Sequence, residues 1–486
     1  RVVHASLVRF CSTTCPSTGG SMAKMSACSG EPLIARAQAW IASHGRVPSE
    51  VLEATLVGEA PAALAELSPV LDALCTRRKP VRIGAAGSSV TYGHGFPNQS
   101  LAWPAHLARA LRWIWQRDDI SVRNSASPAT TAPYAALCYK TLFPDPLDLL
   151  IIEYSMTTRR SSTMSPLIEV ARGHNAPMLS LDLPQFIGPK IWPMCRLQRK
   201  YSIPKAGTMK SGVPCQLRSM MLPLDGNDTV MRLFEERGVP VVSTRAVHGW
   251  FKGTLFAAAP TPTPLDLRKW VSDDGRHMSR PAHIQLASFI VHALVQTLQR
   301  TVSVPPPSSS QQLWKKVTVP DVSFCAAGKR LLPYVLRGRT QGWAYAVEND
   351  KPGMVASTPG SLLSLLVNGT QQEGRRASLY LSYLTSYQHM GRFSVRCRLG
   401  CECNGRELDG HDIGGKVSLQ VTATPMQLTF SAASCLIEVQ VLPNSTNGEH
   451  KVKLTSLTLT SPHMDELMSE RMRHKLVRKA REGWGR

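Results

Sequence analysis

Residues Val81 to Gly93 read VRIGAAGSSVTYG, a short apolar run that breaks into a turn of small residues presenting two serines. A strand that ends in such a turn can hold a serine hydroxyl at the rim of a parallel sheet. Serine alone is a poor nucleophile, so chemistry at this turn requires a base and an orienting acid from elsewhere in the chain. Downstream, β-like runs alternate with helical segments: SLAWPAHLARALRWIWQR, LDLLIIEYSM, PMLSLDL and VPVVST, closed by an amphipathic helix over Pro281 to Thr301. Strands alternating with helices predict an α/β domain with a parallel sheet, spanning 79–302.

Upstream of the turn, apolar residues at helical spacing (Leu33, Ile34, Ala37, Trp40; Val51, Leu52, Leu56, Leu64, Leu67) predict a helical N-terminal region over 31–78, preceded by a disordered or incomplete stretch over 1–30. A basic, Pro- and Gly-punctuated stretch at 190–222 reads as a long loop or lid. The run VPPPSSSQQ within 303–313 is a linker. Beyond it, over 314–462, SLYLSYL, FSVRCRL, VSLQVTA, MQLTFSA, CLIEVQVL and KVKLTSLTLT are short and alternating, the pattern of a β-sandwich. Met468, Met472 and Leu476 among many basic residues predict a basic terminal helix over 463–486, either solvated or resting on an anionic surface.

The chain has 486 residues, more than one ordinary domain, and 56 Lys plus Arg against 34 Asp plus Glu, a formal charge of +22. That balance favours polyanions such as acidic glycan, without specifying fold. The longest apolar runs fall short of the roughly 18 residues of a membrane span. No P-loop, dinucleotide fingerprint or H-E-x-x-H pattern occurs, and no nucleic-acid module accompanies the charge, so cofactor-dependent and nucleic-acid readings lack support. Cys397, Cys401, Cys403 and Cys435 could form two disulfides or hold zinc. Their spacing differs from C-x₂-C pairs, and sequons at Asn98, Asn227, Asn368 and Asn444 suit an oxidising compartment, so disulfides are expected. The expected address is secreted or endomembrane lumen.

The base and acid are supplied by Asp274-Gly-Arg-His277, directly before the closing helix. A carboxylate three residues ahead of a histidine can accept the Nδ1 proton and aim Nε2 at a serine hydroxyl. A helix-capping Asp followed by a surface His has the same appearance, and the upstream serine turn favours the triad. His94 and His248 read as loop histidines, with His94 close enough in sequence to Ser89 to line a pocket. Trp103, Trp113 and Trp115 read as core and helix-surface packing.

Over roughly Arg82 to Arg300 these motifs resemble the SGNH (GDSL-type) hydrolases, esterases and lipases with a flavodoxin-like α/β/α sandwich. Gly87-Ser88-Ser89-Val90-Thr91-Tyr92-Gly93 resembles the family's GDS-x-T-x-G block, with Ser88 in place of Asp. The resemblance implies Ser89 as nucleophile, His277 as base and Asp274 as its orienting acid. Asn124 to Ala129 resembles the second block, with Ser125 replacing the glycine whose amide faces the oxyanion. The third block ends in Ser155-Met156-Thr157-Thr158, so the family's oxyanion Asn is absent and Thr157 stands in its place. Losing one such donor typically costs ~10²–10³ in turnover. The implied oxyanion hole is Ser89, Ser125 and Thr157.

Lys351-Pro-Gly353, TPGS at Thr358 to Ser361 and the segment Tyr380 to Cys403 resemble the β-sandwich that accompanies such domains in some algal and plant-like proteins. The expected function is hydrolysis of acyl, chiefly O-acetyl, esters on carbohydrate or on a small ester. Acyl transfer by the same triad and glycan binding without catalysis are the alternatives. No cofactor or metal is implied.

Overall fold

The computed structural model describes residues 31–57, 61–76, 78–158, 160–183, 186–187, 220–221, 228–246, 251–252, 265–266, 270, 272, 277–303, 322–369, 375–412 and 418–468. Asp274, the 304–313 linker, the sequon at Asn227, His248 and the chain after Met468 lie outside them. So does most of 190–222, apart from Met220–Met221, which pairs antiparallel with Phe186–Ile187.

The first unit is built on a six-stranded sheet of β1 (Leu56–Val57), β2 (Val81–Gly87), β3 (Ile120–Asn124), β4 (Leu149–Glu153), β5 (Met178–Asp182) and β6 (Val241–Ser243), in the order β1-β6-β5-β4-β2-β3. From β2 to β6 all pairings are parallel; β1 alone joins antiparallel, Leu56 opposite Val242 and Val57 opposite Val241. Leu56 therefore leaves the predicted helical stretch: β6 presents an edge, and two residues suffice to cover it. The chain runs outward from β2 to β3 on one side and to β4 on the other, so a crevice opens at the carboxyl end of β2.

β4 and β5 are buried along their whole length, as strands sandwiched between helices must be. Alternate residues enter two separate cores. Ile83, Ala85, Leu149, Ile151, Leu179 and Leu181 pack with α1 (Glu31–Trp40), α2 (Ser49–Thr55), α3 (Pro61–Thr76), α5 (Trp103–Trp115) and α9 (Arg280–Ser303). Ala86, Leu150, Ile152 and Met178 pack with α6 (Ala132–Leu137), α7 (Ser161–Gly173) and α8 (Thr229–Glu236). In α5, Trp103, Leu107, Ala110, Leu111 and Ile114 bury one face, Pro104 starts the helix, and Gln116 ends it in the left-handed region. Trp113 is exposed while Trp103 and Trp115 are buried, as their packing role requires.

The second unit has two antiparallel sheets facing one core. In chain order its strands are β7 (Val322–Ala327), β8 (Ala344–Glu348), β9 (Lys351–Ala356), β10 (Leu362–Asn368), β11 (Arg376–Thr385), β12 (Arg392–Leu399), β13 (Cys401–Cys403), β14 (Arg406–Asp409), β15 (Leu419–Thr422), β16 (Met426–Phe430), β17 (Ser434–Val441) and β18 (Val452–Thr460). One sheet runs β8-β9-β18-β11-β16-β13 with β7 on β18 and β15 on β11; the other runs β10-β17-β12-β14. Phe393, Val395, Ile437, Leu457 and Leu459 lie in the core between them.

Cys397 pairs with Cys403 and Cys401 with Cys435, which answers the choice between disulfides and zinc. A third bridge, Cys138–Cys325, had no local signal because 187 residues separate the partners; it ties the segment after α6 to β7. Several disulfides fit an extracellular or lumenal protein. Asn98, Asn368 and Asn444 are all exposed. Among the described residues, no helix is long and apolar enough to cross a membrane.

Candidate active site

β2 ends at Gly87, where a Cβ would meet the Thr91 side chain and lie 2.9 Å from the Glu153 carbonyl oxygen, so only glycine lets the strand run this close to β4. Ser88 then caps a one-turn helix, α4 (Ser89–Tyr92), which Gly93 closes in the left-handed region at φ 85°. Ser89 is thus the first residue of a tight strand–turn–helix at the mouth of the crevice, half-buried, while Ser88 is buried with its Oγ unpartnered.

A carboxylate absent from the sequence-based expectations holds this turn from below. Glu153, the last residue of β4, is fully buried and accepts the Ser88 N–H at 3.3 Å and the Thr91 hydroxyl at 2.8 Å. Thr91 Oγ1 accepts the Trp103 indole N–H at 3.1 Å, and the Asn124 amide donates to the Thr91 carbonyl at 2.7 Å. Burial pushes the Glu153 carboxyl up to about 7, against the hydrogen bonds from Thr91 and Ser88. Its signal was visible: a lone acid closing the apolar run LLII.

His277, half-buried ahead of α9, meets His94. The His94 N–H donates to the Ser89 carbonyl at 2.9 Å, and its ring lies 4.5 Å from the His277 ring, centroid to centroid, tilted by 52°. His94 therefore lies against both the serine turn and His277. His283 serves structure: fully buried, its Nδ1 accepts the Trp103 N–H at 2.9 Å, its ring meets Phe96 edge-on at 4.9 Å, and desolvation brings its pKa down to about 3.

The expected oxyanion donors fare differently. The Ser125 N–H donates to the Ala85 carbonyl at 3.0 Å and its hydroxyl to the Leu142 carbonyl at 2.9 Å. Its amide is committed to extending the β2–β3 pairing, which corrects its assignment to the oxyanion hole. The left-handed residue of this turn is Ala129, at φ 66°, whose own N–H has no acceptor among the described residues. Thr157 is half-buried; its N–H donates to the Tyr154 carbonyl at 3.0 Å, and its Oγ1 is buried without a partner.

Among the described residues, the second unit touches this region at Asp350 and at Gln420. Asp350 Oδ2 lies 2.9 Å from His94 Nδ1, and the Gln420 N–H donates to the Ala129 carbonyl at 2.8 Å.

No protein-family model matches the chain, and no curated protein matches it in sequence. Among solved structures, it is similar to a two-domain esterase (CEX) active on acetylated mannans, at 14% identity and a TM-score of 0.51, covering 84% of this chain and 98% of that one. The same esterase co-crystallised with mannopentaose matches at 15% identity and a TM-score of 0.50 over the same shares. At these identities the likeness is one of fold, and at 84% of this chain it takes in both units.

Proposed function

We propose that the protein is a serine ester hydrolase acting on acyl, chiefly O-acetyl, esters of a glycan. Ser89 is the nucleophile, His277 the general base and acid, and Asp274 the acid that orients it. The observation that carries the reading is the tight turn holding Ser89 at the carboxyl end of β2, next to His94, whose ring lies 4.5 Å from that of His277. The parallel order, 2-1-3-4-5 counted from β2 as first strand, supports a flavodoxin-like reading of the sheet, in which ligands sit at this switch point. Similarity of fold to an acetylmannan esterase makes acetylated mannan the first polymer to try.

In acylation the Ser89 Oγ attacks the ester carbonyl while His277 takes its proton. Collapse of the tetrahedral intermediate expels the sugar hydroxyl, which receives that proton. Water, deprotonated by His277, then releases acetate and regenerates Ser89. The oxyanion is received by the Ser89 N–H at the start of α4, with the Thr157 hydroxyl and the Ala129 N–H as further donors. Both lack a partner among the described residues, which supports the assignment.

Wild-type protein should release acetate from acetylated mannan and label with a fluorophosphonate probe, and Ser89→Ala should do neither. Equal turnover by the two proteins would sink the proposal. Thr157 in place of a carboxamide favours a second reading, glycan retention without catalysis, which predicts polymer binding with no label at Ser89.

A further inference from the structure

We propose that Asp350, supplied by the second unit, is a positioning residue for the base His277 and acts through His94. The inference rests on the esterase reading above and deepens it.

Asp350 occupies the two-residue turn of the β8–β9 hairpin. Glu348 pairs with Lys351, and Asn349 and Asp350 take φ of 48° and 61°, the twist a tight hairpin turn demands. The hairpin is held from behind: Glu348 binds Lys451 at 2.6 Å and the buried Lys453 at 3.1 Å, and β9 is hydrogen-bonded to β18. Asp350 is therefore delivered on a stiff support. Its carboxylate meets His94 Nδ1 at 2.9 Å, and the His94 ring lies 4.5 Å from that of His277.

A side chain in a loop between two left-handed glycines, Gly93 and Gly95, has little of its own to fix it. Asp350 constrains it by charge, its carboxylate 2.9 Å from Nδ1, and so favours the proton on that nitrogen. The ordered His94 ring then limits rotation of His277. When His277 takes the Ser89 proton, the nearby carboxylate favours the imidazolium, and a neutral His94 adds no repulsion. Burial and the neighbouring His277 keep His94 below the usual histidine range, whereas Asp350 opposes that shift. The charged groups about His94 are His277, Asp350 and Lys351; His283 also acts on His277.

The test uses the full chain and 4-nitrophenyl acetate, with Asp350→Asn, His94→Gln, the double variant, and Val347→Ala as an exposed control on the same hairpin. Asp350→Asn and His94→Gln should each lower kcat about tenfold with KM nearly unchanged, since displacing a reacting group costs rate before binding. The double variant should be no worse than either single one, because both act along one path. The acid limb of kcat/KM should move down by a few tenths of a pH unit, roughly what one lost charge at several ångströms produces in water. NMR titration should show the His94 pKa lowered in Asp350→Asn, and Val347→Ala should change nothing. If Asp350→Asn keeps wild-type kcat and acid limb while Ser89→Ala is dead, the inference falls and the esterase reading stands. If wild type shows no Ser89-dependent turnover, the esterase reading falls and takes the inference with it.

Discussion

Glu153→Gln isolates the carboxyl beneath the nucleophile turn. Glu153 has no exposed surface, and burial lifts its pKa from 4.5 to about 7. In the unfolded chain the group ionises near 4.5; in the folded protein it keeps its proton until about 7. Between those values the unfolded state binds fewer protons, so stability is highest below the lower pKa and is lost as pH rises through the upper one. At about 1.4 kcal/mol per pH unit, the loss amounts to about 3 kcal/mol. Glutamine keeps an acceptor for the Ser88 N–H and Thr91 hydroxyl and cannot ionise, so the variant lacks this dependence. Its extra N–H₂ faces the side where Glu153 Oε1 has no partner, a pH-independent cost of about 1–3 kcal/mol. Urea unfolding at pH 5 and pH 8, disulfides intact, followed through tryptophan fluorescence, gives the comparison. The stability of the variant relative to wild type should rise by about 2–3 kcal/mol between the two pH values, part of the loss being already present at pH 5, whatever the offset there. A relative stability constant to within about 0.5 kcal/mol would refute the argument, because Glu153 would then ionise as in water.

Two further outcomes are expected. Replacing Cys138 and Cys325 together by Ser should destabilise the junction by about 2–5 kcal/mol, read as a lower melting temperature and faster proteolysis, since the bridge closes a span of 187 residues. Thr157→Asn should raise kcat on aryl acetates by up to ~10²-fold with KM little changed, by restoring a longer-reaching donor; an unchanged kcat would remove Thr157 from the oxyanion hole.

Much of the sheet could be read from the chain because its strands are continuous apolar runs between turn residues. VRIGAAG, LDLLIIEYSM and PMLSLDL all became strands, and FSVRCRL, CLIEVQVL and KVKLTSLTLT did so in the second unit. Leu56–Val57 was illegible because two residues carry no period, and only the free edge of β6 makes them a strand. The β8–β9 hairpin did have a signal, Asn349-Asp350 between AYAVE and KPGMVA. That Asp350 would meet His94 depends on how two units pack, which no local pattern encodes. Ser125 illustrates the reverse case. Its place in the motif suggested a free amide, but register with β2 sends that amide to Ala85.

The two loops bordering Ser89 are both contacted by the second unit. An alanine at φ 66° costs about 1 kcal/mol relative to glycine, and such a conformation persists where surrounding contacts over-determine it. Here Gln420 binds the Ala129 carbonyl, and Cys138–Cys325 anchors the chain just after α6, so the strained turn lies beside two contacts from outside its own domain. The neighbouring wall of the crevice has the same design, since His94 sits between flexible glycines and is met by Asp350. An α/β unit with glycine at the first position and a self-supporting loop at the second would need neither contact. In this chain both loops bordering Ser89 are held by the β-sandwich, which makes the second unit a structural part of the crevice.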